Sequence, residues 1–287
     1  MSDVSAALRR FFAEEIQAVC NLRTPALVEA LATVPREAFL PPGPWTIRAE
    51  GDYGEPPRQT PDADPRHVSH NISVAIDPAR MLFNGAPSVV AMCIDRLAIA
   101  PGHSVLHVGT GHGYYTALMA QMVGPLGRVD GVEVDSGLAD AARANLAAWS
   151  HAGVRHGNGV DGLGEDSHDA ILVNAGMTHP HEAWLAALKP GGRLAVPLTF
   201  TLPQMGSIGK GAIALVTRSA AGDEFSARVI GMVAIYSAVG IRDESLNAGL
   251  LDAYKRGPWP GFTRLRRDAH DESSACWLHG RTFCLSA

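Results

Sequence analysis

The apolar run Val105-Leu106-His107-Val108 breaks into Gly109, Gly111 and Gly113, with Thr110 and His112 between them, before helix-forming residues resume at Tyr114. A glycine turn from strand to helix lets backbone N–H groups face a ligand with no β-carbon in the way. Alone, such a turn is shared by nucleotide, flavin and S-adenosyl-L-methionine (SAM) binders. The following run, Arg128 to Asp135, discriminates among them. It reads as a short strand ending in Glu133, about twenty residues past the glycines, where a carboxylate can accept both ribose hydroxyl protons. Further on, Gly157-Asn158-Gly159 can set a side chain against an adenine edge, and Asp169 to Asn174 reads as a strand with a polar end.

Leu188-Lys189-Pro190-Gly191-Gly192-Arg193-Leu194 then reads as the stop of one helix and the start of a further strand. This ordered set resembles the class I SAM-dependent methyltransferases. The resemblance implies a Rossmann-like α/β fold: a seven-stranded, mostly parallel sheet with one antiparallel strand, plus N-terminal helices and a C-terminal extension. It implies SAM as cofactor, S-adenosyl-L-homocysteine as product, and cofactor contacts from Ser88, His107, Gly109, Thr110, Gly111, Gly113, Glu133, Val134, Asn158, Gly159 and Asn174.

A finer likeness lies in Thr33 to Pro42, His156 to Leu163 and Asp169 to Gly176, which resemble segments of the protein-L-isoaspartate O-methyltransferases. It covers roughly residues 25 to 240, most of what a single domain needs. Three departures stand against that family's pattern. Its Thr-Ile-Ser-x-Pro segment, aligned on Pro87, puts Gly85 where the substrate-facing serine belongs. His107 takes the place of an acidic residue that helps hold the cofactor's amino end. Asn158 replaces an aspartate, keeping a carbonyl acceptor for the adenine amino group. An isoaspartyl peptide is therefore expected to be a poor substrate.

Methyl transfer from a sulfonium is an in-line displacement that needs positioning above all. A carboxylate acceptor is already ionised at neutral pH, whereas an amine or hydroxyl acceptor needs a base, usually histidine. Acceptors in this fold sit outside the carboxyl ends of the parallel strands. That points to Asn174, Thr178 and His179 after one strand, to Asn84, Gly85 and Ser88 before a helix, and to His70 before another strand. The catalytic candidates are His70, Asn84, Asn174 and His179. Each histidine also has a bland reading: His179 as cap of the helix that Pro180 begins, His70 as an ordinary surface residue. The expected reaction is O-methylation of a carboxylate or other polar group on a peptide or specialised small molecule. The alternatives are N- or tRNA-directed methylation, or a non-catalytic SAM-binding scaffold.

The elements that must position these residues fit in 287 residues of 46% hydrophobic content, enough to bury one α/β core. A formal charge of −5 gives no general attraction to phosphate backbones, so nucleic acid is a disfavoured partner. No apolar run is long enough to span a membrane and the N-terminus lacks a signal-peptide pattern, so a cytoplasmic protein is expected. Residues 1–80 are expected to hold helices (Val4 to Cys20, and one from Thr24-Pro25 with Thr24 as cap) and a proline-rich, lid-like connection over 41–66. Residues 81–240 are expected to form the SAM-binding core, with strands near 104–108, 129–133, 154–156, 169–174 and 193–198 and a closing antiparallel hairpin from 211–218 and 225–237. Residues 241–287 are expected to form an extension with a helix near Glu244 to Lys255, the turn-rich Gly257 to Gly261, and a hairpin around His279 to Arg281. The segments 41–80 and 241–287 are expected to wall the strand ends and enclose a pocket.

Cys20, Cys93, Cys276 and Cys284 are dispersed, and reduced thiols are expected. His270, Cys276, His279 and Cys284 offer zinc-ligating types, but Cys276 and His279 stand three apart on an expected strand and so point to opposite faces. No metal is expected.

Overall fold

The computed structural model describes residues 3–49, 55–257 and 261–287, leaving Pro258 to Pro260 of the expected turn outside the described residues. The chain begins with α1 (Asp3–Cys20) and α2 (Pro25–Thr33), then β1 (Thr46–Ala49), β2 (Arg58–Gln59), β3 (Ile72–Asp77) and β4 (Leu82–Phe83). It continues with α3 (Pro87–Arg96), β5 (Ser104–Val108), α4 (Tyr114–Val123), β6 (Arg128–Glu133), α5 (Ser136–Asn145), β7 (Ala152–His156), β8 (His168–Val173) and α6 (Glu182–Ala187). The last part is β9 (Leu188–Phe200), β10 (Ile208–Arg218), β11 (Phe225–Tyr236), α7 (Leu246–Lys255), β12 (Arg264–Arg266), β13 (Cys276–His279) and β14 (Cys284–Ser286). Two compact units emerge, residues 1–102 with 110–156, and residues 103–109 with 157–287.

In the first unit, Phe12 and Ile16 of α1, Leu27 and Leu31 of α2, Ile94 of α3 and Leu118 and Met119 of α4 are fully buried and form its helical core. Removing each from water is worth roughly 1.5–3 kcal/mol. Thr24 stands at the start of α2, but its side chain makes no cap. The carboxylate of Asp95 does that work from α3, accepting the Arg23 and Thr24 N–H groups at 2.8 and 2.9 Å. Of the connection expected over 41–66, residues 50–54 lie outside the described residues, and the described remainder contains short strands. β1 pairs antiparallel with β2 and β3, and β3 with β4, around buried Trp45, Ile47, Val68 and Val74. Strands of two and four residues amid prolines carry too little alternation to be read from sequence. β6 and β7 pair in parallel in the same unit.

The second unit holds a sheet in the order β13-β14-β12-β11-β10-β9-β8-β5. β5, β8 and β9 run parallel to one another, and β9 to β14 pair antiparallel. The expected seven strands with one antiparallel is thereby corrected. This unit alone has eight, because the tail supplies β12, β14 and β13 to cover the open edge of β11. Lys189 to Gly192 form a bulge inside β9 rather than a helix stop before it. Pairing jumps from His168 with Leu188 to Ala170 with Arg193, and Gly191 turns the chain at φ 80°. Asp169 pins the parallel strands, accepting the Ser104 N–H at 2.8 Å and pairing with Lys189 at 2.7 Å.

Candidate functional site

The glycine turn follows β5 directly, and its later half lies in the first unit. Gly111 adopts φ 53° and Gly113 φ 92°, left-handed values that favour glycine. The Gly111 N–H donates to Glu133 Oε2 at 2.8 Å, and the Asp135 N–H donates to Oε1 at 3.2 Å. Glu133 thus ends β6 with both oxygens oriented by backbone. Burial pushes its carboxyl above the ordinary value, while those N–H donors pull it down. Asp135 caps α5 through the Leu138 N–H at 3.0 Å, and Arg80 clamps it to Asp77 with ion pairs of 2.6 and 2.5 Å. His112, between the glycines, donates from Nδ1 to the Phe39 carbonyl at 3.2 Å, while its own carbonyl accepts from Asn145 at 3.0 Å. Thr110 is buried and Val134 half exposed.

In the second unit, Gly109 turns at φ 80°, and a β-carbon there would lie 3.1 Å from the Asn174 carbonyl oxygen. The Asn174 N–H donates to the Val108 carbonyl at 2.8 Å, so the ends of β5 and β8 lie side by side. Gly159 is a packing glycine: a β-carbon would strike Val108 Cγ1 at 2.4 Å, and its carbonyl accepts from buried Trp184 at 2.9 Å. Asn158 is half-buried, its Oδ1 accepting the Val160 N–H at 3.3 Å. His107 has no exposed surface, and burial depresses its pKa to about 3. A neutral imidazole without accessible surface cannot replace a carboxylate at the cofactor's amino end.

The catalytic candidates divide sharply. Asn84 is structural, its Oδ1 accepting the Val74 N–H at 2.8 Å and holding β4 to β3. His70 is exposed, and its carbonyl accepts from Arg36 at 3.1 Å. Ser88 is buried at the start of α3, where its N–H donates to Asn71 Oδ1 at 2.9 Å, a cap with no signal in the local sequence. Gly85 keeps its carbonyl on the Tyr115 hydroxyl at 2.5 Å. In the second unit His179 is held by Thr178 Oγ1 at 3.1 Å and stacks on Phe283 with ring centroids 5.5 Å apart. Burial, then the neighbouring His181, lowers its pKa. The helix cap expected of His179 belongs to His181, whose Nδ1 accepts the Ala183 N–H at 3.2 Å. Arg242, a lone arginine in a loop with no sequence signal, straps this region by donating to the Gly176 carbonyl at 2.9 Å and Thr199 Oγ1 at 3.2 Å.

The tail corrects the expectation that Cys276 and His279 point to opposite faces. The ligand atoms of His270, Cys276, His279 and Cys284 lie within 4.8 Å of one another. The strand is bulged between Cys276 and Leu278, so strict alternation of facing does not hold there.

Comparison with known proteins gives a consistent result. A family model described as protein-L-isoaspartate(D-aspartate) O-methyltransferase matches residues 67–216. The protein-L-isoaspartate O-methyltransferase of Methanopyrus kandleri is 32% identical over 194 residues, 66% of this chain and 76% of its own. That of Methylorubrum extorquens is 37% identical over 180 residues, 62% and 68% of the two chains. A solved protein-L-isoaspartate O-methyltransferase shares the fold with a TM-score of 0.58 at 20% identity, covering 86% of this chain and 69% of that one. So does a Plasmodium falciparum protein described as such an enzyme and solved with S-adenosyl-L-homocysteine, with a TM-score of 0.58, 16% identity, and coverage of 80% and 97%. These likenesses show a Rossmann-like methyltransferase fold. With the matched residues spanning the glycine turn, Glu133, Asn158 and Asn174, the chain belongs to the protein-L-isoaspartate(D-aspartate) O-methyltransferase family.

Proposed function

We propose that this SAM-dependent methyltransferase methylates a carboxylate carried by a peptide. The observation that carries the reading is Glu133, a buried carboxylate beside the glycine turn with each oxygen aligned by a backbone N–H. That arrangement fits a ribose, whose two hydroxyls can donate to the remaining lone pairs. Gly109, Thr110, Gly111 and Gly113 would give the close backbone approach, Gly159 packs on Val108, and Asn158 would offer a carbonyl to the adenine amino group. When bound, the cofactor supplies a methyl carbon on a positively charged sulfur. Asn174, at the carboxyl end of β8, stands where an acceptor is positioned in this fold.

A carboxylate needs no proton removed. His179, kept neutral by burial, then serves as a wall rather than as a base. We expect His179→Asn and His70→Ala, made separately, to lower turnover by less than about tenfold with SAM affinity retained. A loss of about 10²-fold in either would assign general-base catalysis and so an amine or hydroxyl acceptor.

The relatives are named for isoaspartyl substrates, and a peptide bearing that group is the first acceptor to try. Gly85 lacks the hydroxyl expected there. Loss of one hydrogen bond to a charged group is worth roughly 1.5–3 kcal/mol, so turnover of an isoaspartyl peptide should be low and should rise about tenfold or more in Gly85→Ser. Labelled SAM and a synthetic isoaspartyl peptide measure this directly. Fast turnover by the unaltered protein, with no gain in the serine variant, would remove Gly85 as the determinant.

A further inference from the structure

We propose that His270, Cys276, His279 and Cys284 form a structural zinc site that clamps the C-terminal tail. These residues lie beyond residue 216, where the family match ends, and none belongs to the cofactor or acceptor groups described above. Their ligand atoms lie within 4.8 Å of one another, and His270 Nε2 stands 3.8 Å from Cys276 Sγ. A tetrahedral zinc with bonds of about 2.3 Å to sulfur and about 2.0 Å to nitrogen needs ligand separations of about 3.3–3.8 Å. The cluster must contract by no more than about 1.5 Å, within the reach of small side-chain rotations.

The backbone explains why four residues scattered over a loop and a hairpin converge. On β13 the step from Cys276 to Leu278 is matched by a single step on β14, from Ser286 to Leu285. That extra residue reverses the strand's alternation, so Cys276 and His279 share a face, and His279 pairs directly with Cys284 across the hairpin. Trp277, at the bulge, is held against Tyr254 and Phe262 with ring centroids 5.3 and 5.1 Å apart.

The surroundings are those of metal ligands. His270 donates from Nδ1 to the Asp268 carbonyl at 2.9 Å, which fixes the tautomer that leaves Nε2 facing Cys276. Arg266 holds Asp268 through a two-point ion pair of 2.9 and 2.5 Å. The Ser273 N–H points at Cys276 Sγ from 3.4 Å, a donor suited to a thiolate. Nδ1 of His279 is buried with no hydrogen-bond partner among the described residues, and its ring meets that of His270 edge-on at 4.9 Å. Two sulfurs and two imidazoles select zinc, and four protein ligands leave no open coordination position, so the ion's role is structural. It fastens the 267–275 loop to the hairpin whose Phe283, next to Cys284, stacks on His179.

The test uses the full chain purified with its thiols reduced. Elemental analysis should find about one zinc per chain, and cobalt(II) exchanged into the protein should give the intense thiolate charge-transfer and tetrahedral absorption bands of an S₂N₂ site. The double variant Cys276→Ser/Cys284→Ser should lose the metal, while Cys20→Ser and Cys93→Ser retain it. If the double variant fails to fold, the cobalt spectrum of the unaltered protein still decides. The proposal is overturned by a reduced, folded chain that binds neither metal. A cobalt spectrum without thiolate bands, or a Cys276–Cys284 disulfide that persists in the reduced preparation, overturns it equally.

Discussion

Gly111→Val is expected to abolish SAM binding, with affinity falling by about 100-fold or more. Gly111 sits at φ 53°, where a side chain on an L-residue costs roughly 1–2 kcal/mol and a β-branched one more. Its β-carbon would lie 3.2 Å from Ile76 Cδ1, tighter than an ordinary contact, and valine's two methyl groups add to that crowding. Escaping the strain rotates the peptide away from Glu133 and breaks the 2.8 Å hydrogen bond that orients the ribose acceptor. Glu133→Ala is the complementary change and should weaken binding by roughly 1.5–3 kcal/mol, the range for a charge-assisted hydrogen bond. Calorimetric titration with SAM measures both, and unfolding curves without ligand separate lost affinity from lost fold. Unchanged affinity in Gly111→Val would move the cofactor away from this turn.

Arg36→Met is expected to destabilise the protein by about 3 kcal/mol or more. The Arg36 guanidinium is buried and donates to the carbonyls of Val68 and Ile72 at 2.7 Å each and of His70 at 3.1 Å. It lies over the Phe12 ring at 5.8 Å, and burial lowers its pKa, a cost that the three carbonyls offset. Methionine fills the volume but leaves those acceptors without a donor. Arg36→Lys should recover less than half of the loss, because one ammonium cannot span both sides of the fork. Urea unfolding of the three proteins checks the order. A cost below about 1 kcal/mol for Arg36→Met would mean that water replaces the guanidinium at little penalty.

What can be read from the sequence follows the strength of local patterns. β5 has bounds identical to those expected and α4 starts at Tyr114 as expected, because an apolar strand, three glycines and a run of helix formers leave one reading. The place of Glu133 can be read because it follows from the distance to that turn. The small sheet around Trp45 is not, since β1 and β2 draw their stability from pairing with β3 and their sequences alternate too briefly to signal it. Asn84 looks like a polar residue ahead of a helix, yet only the cross-strand Val74 N–H shows that its oxygen is already engaged. In the tail, a single bulged residue reverses the facing of Cys276 against His279. Sequence spacing does not encode a bulge, so strict alternation separates on paper residues that the backbone brings together. Among the described residues no helix is long and apolar enough to cross a membrane.

Transfer of a methyl group from SAM to a carboxylate oxygen of a peptide is tested most directly by the alkali stability of the product. The protein is incubated with methyl-labelled SAM and a peptide-sized fraction of host lysate, and the products are then exposed to mild alkali. A methyl ester formed on a carboxylate hydrolyses under those conditions, so the predicted result is label in peptides that is released as volatile methanol. Label that survives alkali would place the methyl group on nitrogen or another base-stable position and contradict carboxylate methylation.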